Sequence, residues 1–242
     1  MATKRLAILG FHKVGPPPGG WQTWNYMPEE TFVGYLSYLE DDGWPVIDLE
    51  TLLRGLTAPD ELPARAVLLT FDDGYRSNLE VALPWLRRFG YPGVIFVPTS
   101  YIGGRNAFDA DALIEPEEAI CDWSELRELT RHGISVQSHG VSHRRFSQLS
   151  QAEQDQELLW SKTVLEDGLG KSVEVFSFPY GDDGADPRIV ARLLTRAGYR
   201  AACLYGGGPN PVPVRNRYRL SRIAMGADTD LRVALGGLGG SE

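Results

Sequence analysis

Two short segments place acids and histidines where they could bind a metal ion. The segment LLTFDDGYRSN, residues 68–78, runs an apolar stretch into the adjacent carboxylates Asp72 and Asp73. The segment QSHGVSHRRF, residues 137–146, contains His139 and His143, whose spacing lets both imidazoles face one point if the backbone turns helically. Two neutral imidazoles and one carboxylate can bind a divalent ion and leave coordination positions open.

Adjacent carboxylates need different roles, because their mutual repulsion without compensation raises the pKa of one of them. A cation removes that repulsion when it takes one carboxylate as a ligand. We therefore assign Asp73 to the metal ion with His139 and His143, and Asp72 to accept a proton from the attacking water. The sequence DDG is also typical of a helix-capping turn. The nearby histidine pair is what favours the metal site.

Short apolar runs alternate with longer amphipathic stretches, which predicts repeated β-α units around a mainly parallel sheet. We expect eight strands, at residues 5–11, 45–48, 66–71, 93–97, 134–138, 174–178, 199–204 and 218–223. Six helices are expected at residues 28–41, 77–89, 123–132, 149–167, 186–197 and 228–235. The predicted fold is α/β, a distorted or incomplete (β/α) barrel of about seven parallel strands, with residues 1–242 as a single domain. In such barrels the loops after the strands carry the chemistry.

Composition limits the partners. The 242-residue chain has a net charge of −8, which disfavours nucleic acid and anionic membranes, since these need basic patches. No segment reaches the ~20 apolar residues of a membrane span. The apolar stretch before His12 is too short for a signal peptide, so we expect a cytoplasmic protein. Cys121 and Cys203 have no metal-type spacing and predict buried thiols. Nothing in the sequence indicates an oligomeric state.

Three segments resemble the motifs of polysaccharide deacetylases of the NodB-homology type, carbohydrate esterase family four: TFDDG (70–74), SHGVSH (138–143) and FSFPYG (176–181). The resemblance implies that Asp72 is the catalytic base and that the metal ligands are Asp73, His139 and His143. It also implies that the backbone N–H of Tyr180 binds the oxyanion. The chain departs from the family pattern at Gly140, where a hydroxyl residue is usual, and at Ser177, where an arginine is usual.

The order of ILGFHKV, the 28–53 segment and TFDDGY is similar to the branch that deacetylates poly-N-acetylglucosamine, whose barrel is circularly permuted. That similarity implies that His12 is the general acid. His12 follows the first predicted strand, and a histidine near neutral pKa can protonate a departing amine. Arg222, in LSRIAM, has two interpretations: it pairs with Asp72 and replaces the missing motif arginine, or it is an ordinary cation at the rim.

The implied activity is metal-dependent hydrolysis of an N-acetyl group on a sugar or polysaccharide, with release of acetate. The expected ion is zinc, although the same ligands accept cobalt, nickel or iron. Two alternatives stay open: a sugar-binding module with weakened catalysis, and a glycoside hydrolase that uses Asp72 with a distant acid. A polymer and a nucleotide- or lipid-linked sugar are both compatible with the sequence as substrates.

Other residues have a functional and a structural interpretation. The long connections 12–27 and 98–122 are expected to form lids or binding walls. In the first, Trp21, Trp24 and Tyr26 suit either sugar rings or packing on the barrel. Asp122 is expected to cap the next helix rather than line the groove. His132 precedes Gly133 at a helix end, where a cation is favourable, and is interpreted as structural.

Overall fold

A computed structural model of the chain describes residues 4–20, 23–110 and 116–236. Its strands are β1 Arg5–Phe11, β2 Lys13–Val14, β3 Tyr26–Met27, β4 Arg65–Phe71, β5 Gly93–Val97, β6 Ile134–Ser138, β7 Val175–Ser177, β8 Ala201–Cys203, β9 Asn210–Pro211 and β10 Ile223–Ala224. Its helices are α1 Glu29–Asp41, α2 Leu49–Gly55, α3 Leu83–Phe89, α4 Ala107–Ala110, α5 Trp123–Arg131, α6 Gln151–Leu169, α7 Pro187–Ala197 and α8 Leu231–Ala234.

The main sheet is a curled run of parallel strands in the order β10-β1-β4-β5-β6-β7-β8, with β9 antiparallel on β1. In the residues that the structure describes, the two edges of the sheet are joined by isolated bridges, Cys203 with Leu220 and Gly206 with Arg222, and not by a continuous ladder. The prediction of a distorted or incomplete barrel of about seven parallel strands is therefore confirmed. In the described part of the chain, no helix is long and apolar enough to cross a membrane.

Alternate residues of each strand face opposite sides of the sheet. On β1, Ala7, Leu9 and Phe11 pack with the surrounding helices, whereas Leu6 and Ile8 pack inside the barrel against α2. Because both faces are buried, the strands are almost continuously apolar. The inward register of β4 runs from Ala66 through Leu68 and Thr70, so the next inward position beyond the strand is Asp72.

Helix ends follow the local sequence. Asp122 and Ser150 begin α5 and α6 with capping boxes, since each accepts hydrogen bonds from the first turn and pairs with a glutamate three residues later. The capping role expected for Asp122 is thus the one observed. The glycines Gly90, Gly170 and Gly198 end helices in the left-handed conformation.

Three expectations for the elements were wrong. Residues 45–48 form only an isolated bridge from Val46 to Val67, because Pro45 cannot donate a hydrogen bond and Asp48 instead caps α2, a helix that was not expected. The predicted strand 218–223 contracts to Ile223–Ala224. Helix α6 continues through Gly168, whose missing side chain makes room for the Trp123 ring, and ends at Gly170.

Candidate metal centre and active site

The candidate site lies at the carboxyl ends of the parallel strands, where the inward register collects polar side chains. Asp72 follows β4, His139 follows β6, and Ser177 ends β7. Arg222 comes directly before β10, and its side chain is fully buried. The inward-facing residues within the strands are apolar and fill the barrel interior. The same inward direction, continued past the carboxyl ends of the strands, brings these polar groups together.

Backbone conformation separates the two adjacent carboxylates. Asp73 and Gly74 have φ angles of 70° and 74°, so the chain turns sharply after Asp72. The described residues with positive φ other than glycine are Asp73, His143 and Tyr180, all of them at this site. Such strain costs on the order of 1–3 kcal/mol per residue and persists where the surrounding structure enforces it. Asp72 keeps the inward direction of β4, and Asp73 turns toward the histidines.

Asp73, His139 and His143 form a buried group of potential metal ligands. Oδ1 of Asp73 lies 3.4 Å from Nε2 of His139 and 3.1 Å from Nε2 of His143. One ligand atom from each residue falls within 4.8 Å of the others. Among the described residues, the buried Oδ1 has no hydrogen-bond partner. A buried carboxylate oxygen without a partner, facing two imidazole nitrogens, fits a divalent cation.

Asp73 is held in its ionised form, which is the form of a carboxylate that can bind a cation. Burial alone would raise the pKa of Asp73, but the neighbouring His143 and His139 rings lower it well below its ordinary value. The Nδ1 atom of His139 lies 2.7 Å from the Ser177 carbonyl oxygen and donates to it. This hydrogen bond leaves the Nε2 lone pair directed toward Asp73, which is the arrangement that a metal-ligating histidine needs.

Glu157, on α6, holds the segment between the two histidines. Its carboxylate accepts hydrogen bonds from the backbone N–H groups of Val141, at 2.6 Å, and Ser142, at 3.0 Å. A side chain at Gly140, where φ is 81°, would place its Cβ 2.8 Å from Glu157 Oε2. The glycine that departs from the family pattern therefore makes room for this carboxylate. The sequence analysis missed Glu157, although an acid on the buried stripe of a helix was a usable signal.

Asp72 is held by a guanidinium. Arg222 donates from Nη1 to Oδ1 at 2.6 Å and from Nη2 to Oδ2 at 2.7 Å. The same Nη2 donates to the Ser177 hydroxyl at 2.8 Å, and Nε donates to the Leu204 carbonyl at 2.7 Å. Of the two interpretations of Arg222, the structure has the paired one. Ser177, which stands where the motif has arginine, supplies an acceptor for Arg222. That Arg222 replaces the motif arginine in function stays a prediction.

This pair sets the charge of Asp72. Burial alone would raise the pKa of Asp72, but the Arg222 guanidinium reverses the effect, and the pKa lies below its ordinary value. Both side chains are almost completely buried, with exposed fractions of 0% and 3%. Arg222 uses one lone pair on each carboxylate oxygen of Asp72. The remaining lone pairs of this ionised carboxylate can accept a proton.

His12 lies close to Asp73 and to Tyr205. Its Nε2 is 3.9 Å from Oδ2 of Asp73, and its Nδ1 is 3.3 Å from the hydroxyl of Tyr205. Burial lowers the pKa of His12. Tyr205 was not singled out in the sequence, since a lone tyrosine after a strand has no distinguishing signal.

Comparison with known proteins agrees with this geometry. The polysaccharide deacetylase profile matches residues 60–202, more than half of the chain. The chain belongs to the polysaccharide deacetylase family.

This chain of the deacetylase family matches only part of the length of its curated relatives. The chain is 26% identical over 177 residues to the protein YxkH of Bacillus subtilis, which covers 73% of this chain and 57% of YxkH. It is 27% identical over 174 residues to a poly-beta-1,6-N-acetyl-D-glucosamine N-deacetylase of Staphylococcus aureus, which covers 69% of this chain and 57% of that enzyme. The chain thus matches little more than half the length of these relatives.

A solved structure shares the deacetylase fold. IcaB from Ammonifex degensii superimposes with a TM-score of 0.79 at 21% identity, covering 96% of each chain. At this identity the likeness shows the fold alone, which is the fold expected from the motifs.

Tyr180 lies beside His143, one of the three candidate metal ligands. It occupies the turn Pro179–Gly181 with a φ of 59°, and the residue is 46% exposed. The ring packs against His143, with centroids 4.8 Å apart, and the Arg145 guanidinium covers its face at 4.2 Å. The contribution of its backbone N–H to an oxyanion stays a prediction.

The aromatic residues of the first long connection divide into different roles. Trp24 is 44% exposed and packs edge-to-face on Tyr205, with centroids 6.2 Å apart, so its face remains accessible. Tyr26 is buried and donates to Glu118 at 2.6 Å, which removes it as a sugar platform. Trp21 lies outside the described residues.

His132 has the structural position that the sequence indicated. It is the C-cap residue of α5, and its Nε2 lies 2.8 Å from Glu128 Oε1.

Cys121 and Cys203 are buried free thiols, and burial raises the pKa of each to about 12. Such thiols stay protonated at neutral pH and are unsuited to nucleophilic or metal-binding roles.

Proposed function

We propose that this protein hydrolyses the N-acetyl group of an N-acetylated carbohydrate, releases acetate, and uses a divalent ion held by Asp73, His139 and His143. The observation that carries the proposal is the division of the acidic doublet. Asp72 is ionised and bound on its far side by Arg222, whereas Asp73 faces two imidazoles with an oxygen that lacks a hydrogen-bond partner. Membership of the polysaccharide deacetylase family supports it.

Asp73, His139 and His143 would hold the ion, which would supply Lewis acidity for the acetyl carbonyl and for the attacking water. Asp72 accepts the proton of the attacking water, because Arg222 keeps its carboxylate ionised without occupying every lone pair. The backbone N–H of Tyr180 donates to the developing oxyanion. His12 then gives a proton from Nε2 to the sugar nitrogen, and the amine leaves with that proton.

Zinc is the metal that we propose, since a His₂-carboxylate set with open positions is common in zinc hydrolases. Cobalt, nickel and iron accept the same ligands. Elemental analysis of the purified protein, followed by chelation and restoration with each ion, identifies the ion that supports acetate release.

The substrate that we propose is an N-acetylglucosamine oligomer or polymer. Trp24 and Tyr180 are both exposed; Trp24 packs on Tyr205, which contacts His12, and Tyr180 packs on His143. Two exposed aromatic residues beside different groups of the site suit a chain of sugar rings better than a single ring. Carrier-linked N-acetyl sugars are the alternative substrates, consistent with the cytoplasmic location expected from the sequence, which stays a prediction for cell fractionation.

Acetate release separates this proposal from its alternatives. The zinc-supplemented protein should release acetate from poly-N-acetylglucosamine or chitooligosaccharides, and a chelator should stop it. Cleavage of glycosidic bonds that persists after chelation would indicate a glycoside hydrolase instead. Sugar binding without acetate release from a panel of polymeric and carrier-linked substrates would indicate a binding module.

A further inference from the structure

Tyr205 connects the two sides of the candidate active site. Its hydroxyl lies 3.3 Å from His12 Nδ1 and donates to the Gly10 carbonyl at 3.2 Å. Its ring stands edge-on to His12, with centroids 5.1 Å apart. The Arg222 guanidinium lies 5.1 Å from the centre of the same ring. One side chain therefore touches both the residue that holds the base and the residue proposed as the acid.

Glycines on two neighbouring segments make room for this residue. A Cβ at Gly10, on β1, would lie 2.9 Å from the Tyr205 ring. A Cβ at Gly181 would lie 2.6 Å from the Tyr205 backbone nitrogen. Any larger residue at either position would displace Tyr205, so the surroundings fix where its hydroxyl lies.

The Tyr205 hydroxyl can hydrogen-bond to both the Gly10 carbonyl and a protonated His12 in only one arrangement. A phenol has one hydrogen to donate, and a carbonyl oxygen can only accept, so the hydrogen goes to Gly10. The oxygen lone pair then accepts from Nδ1–H of His12. Burial raises the pKa of the Tyr205 hydroxyl, which keeps that hydrogen in place at neutral pH.

We propose that Tyr205 is a positioning residue for His12: its hydroxyl accepts from Nδ1–H and directs Nε2 toward Asp73 and the departing amine. The inference rests on the function proposed above, in which His12 protonates the sugar nitrogen. After His12 has given its Nε2 proton to the amine, the same contact holds the neutral ring as the Nδ1–H tautomer, ready to take up the next proton at Nε2.

Leu204, the residue before Tyr205, contacts the arginine that binds the proposed base Asp72. Leu204 accepts the Nε hydrogen bond of Arg222 at 2.7 Å, and Tyr205 presents its ring to that guanidinium. The dipeptide 204–205 therefore sets the positions of both Arg222 and His12.

The test uses two substrates that differ in their need for an acid. Tyr205→Phe keeps the ring and removes the hydroxyl. On an N-acetylglucosamine oligomer, kcat should fall on the order of 10- to 100-fold, the range typical of lost outer partners. On 4-nitrophenyl acetate, whose leaving group departs without a proton, kcat should change less than about threefold. In a His12→Gln background, Tyr205→Phe should have little further effect.

Tyr218→Phe is the matched control. The Tyr218 hydroxyl also donates to a backbone carbonyl, that of Tyr199 at 3.0 Å, and accepts from the Thr195 side chain at 3.0 Å. This substitution measures the general cost of losing a buried tyrosine hydroxyl, and it should affect the two substrates equally.

Nitrogen NMR of the histidine rings supplies a measurement that needs no activity. The chain has four histidines, so the His12 signal can be assigned by substitution. At a fixed pH where His12 is neutral, the wild-type protein should show the Nδ1–H tautomer, and Tyr205→Phe should show a mixture.

The inference is overturned by a wild-type Nε2–H tautomer, by an unchanged tautomer in Tyr205→Phe, or by equal losses on the two substrates. Retention of N-deacetylation within twofold in Tyr205→Phe overturns it as well. If the wild-type protein itself releases no acetate from N-acetyl sugars, the proposed function fails, and the NMR result still decides whether Tyr205 orients His12.

Discussion

Asp72 and Asp73 are neighbours in the sequence, have the same side chain and are equally buried, yet their surroundings differ completely. Asp72 meets one guanidinium that binds both of its oxygens. Asp73 meets imidazole nitrogens, and one of its oxygens has no hydrogen-bond partner among the described residues. The backbone turn at Asp73, with φ of 70°, is what sends the two carboxylates into these separate environments.

The difference shows how one acidic doublet can supply a base and a ligand together. An arginine that is always charged satisfies Asp72 permanently, so a metal ion has little to gain there. Neutral imidazoles have lone pairs to share, so the Asp73 side is the one where we propose a metal ion. The partner of each carboxylate, and not the carboxylate itself, decides its role.

Substitution of each carboxylate should have separate consequences, and these are the largest effects that we expect. Asp72→Asn should lower kcat for acetate release by about 10²- to 10⁴-fold, because the base is lost. Its zinc affinity, measured by calorimetry, should stay within a few-fold of the wild type. Asp73→Asn should weaken zinc binding by at least about 100-fold, since a direct ligand contributes more than an outer partner. Equal loss of zinc affinity in both variants would contradict the division of roles.

Arg222→Met removes the charge that distinguishes the Asp72 side. It leaves a buried carboxylate without its partner, which should lower the free energy of unfolding at neutral pH by about 3–5 kcal/mol in urea titrations. In the wild type the lowered pKa of Asp72 means that its contribution to stability is present at neutral pH and lost as the pH falls through that pKa.

The same variant should change the pH dependence of the rate. Without the guanidinium, burial raises the pKa of Asp72, so the acidic limb of kcat/KM should move to higher pH. Arg219→Met, which removes a more exposed arginine paired with Asp183, is the control. An unchanged pH profile and turnover in Arg222→Met would remove this residue from the mechanism.

Glu157→Gln tests the support of the Asp73 side. The weaker acceptor should loosen the segment between His139 and His143, and zinc affinity should fall about 10- to 100-fold while the Asp72–Arg222 pair is unaffected. Glu166→Gln, on the same helix, removes a carboxylate that accepts from the Val173 backbone N–H and should leave zinc binding unchanged. Equal zinc affinities in wild type and Glu157→Gln would show that this carboxylate only stabilises the fold.

Trp24→Ala should have the smallest effect. Trp24 touches neither carboxylate and reaches the Asp72 side only through Tyr205. Loss of one stacking ring should raise KM for an N-acetylglucosamine oligomer about two- to tenfold, with kcat nearly constant. KM for a monomeric substrate serves as the internal control. A drop in kcat without a change in KM would place Trp24 in the chemistry instead of substrate binding.

The sequence allowed prediction of the elements whose signal is local. The apolar run 66–71 and the capping role of Asp122 depend on neighbours within a few residues, and the structure has both. His139 and His143 do face one point, but through a bend with positive φ at Gly140 and His143 and not through the helical turn that their spacing suggested. The barrel interior follows from the same local patterns, because inward and outward residues alternate along every strand.

Pairings between distant segments could not be predicted in the same way. Arg222 lies 150 residues from Asp72, and only the closing of the barrel decided between its two interpretations. Glu157, Tyr205 and the packing of Gly168 on Trp123 also depend on contacts between segments far apart in the chain. The strand expected at 45–48 failed because a proline and a helix cap outweighed four residues of apolar pattern.

The most direct test of the account is a crystal structure of the zinc-supplemented protein, with the ion located by its anomalous scattering. We expect one ion at about 2.0–2.2 Å from Asp73 and from Nε2 of both His139 and His143, with Asp72 bound to Arg222 and not to the ion. An ion ligated by Asp72, or no ion at these three residues, would contradict the account.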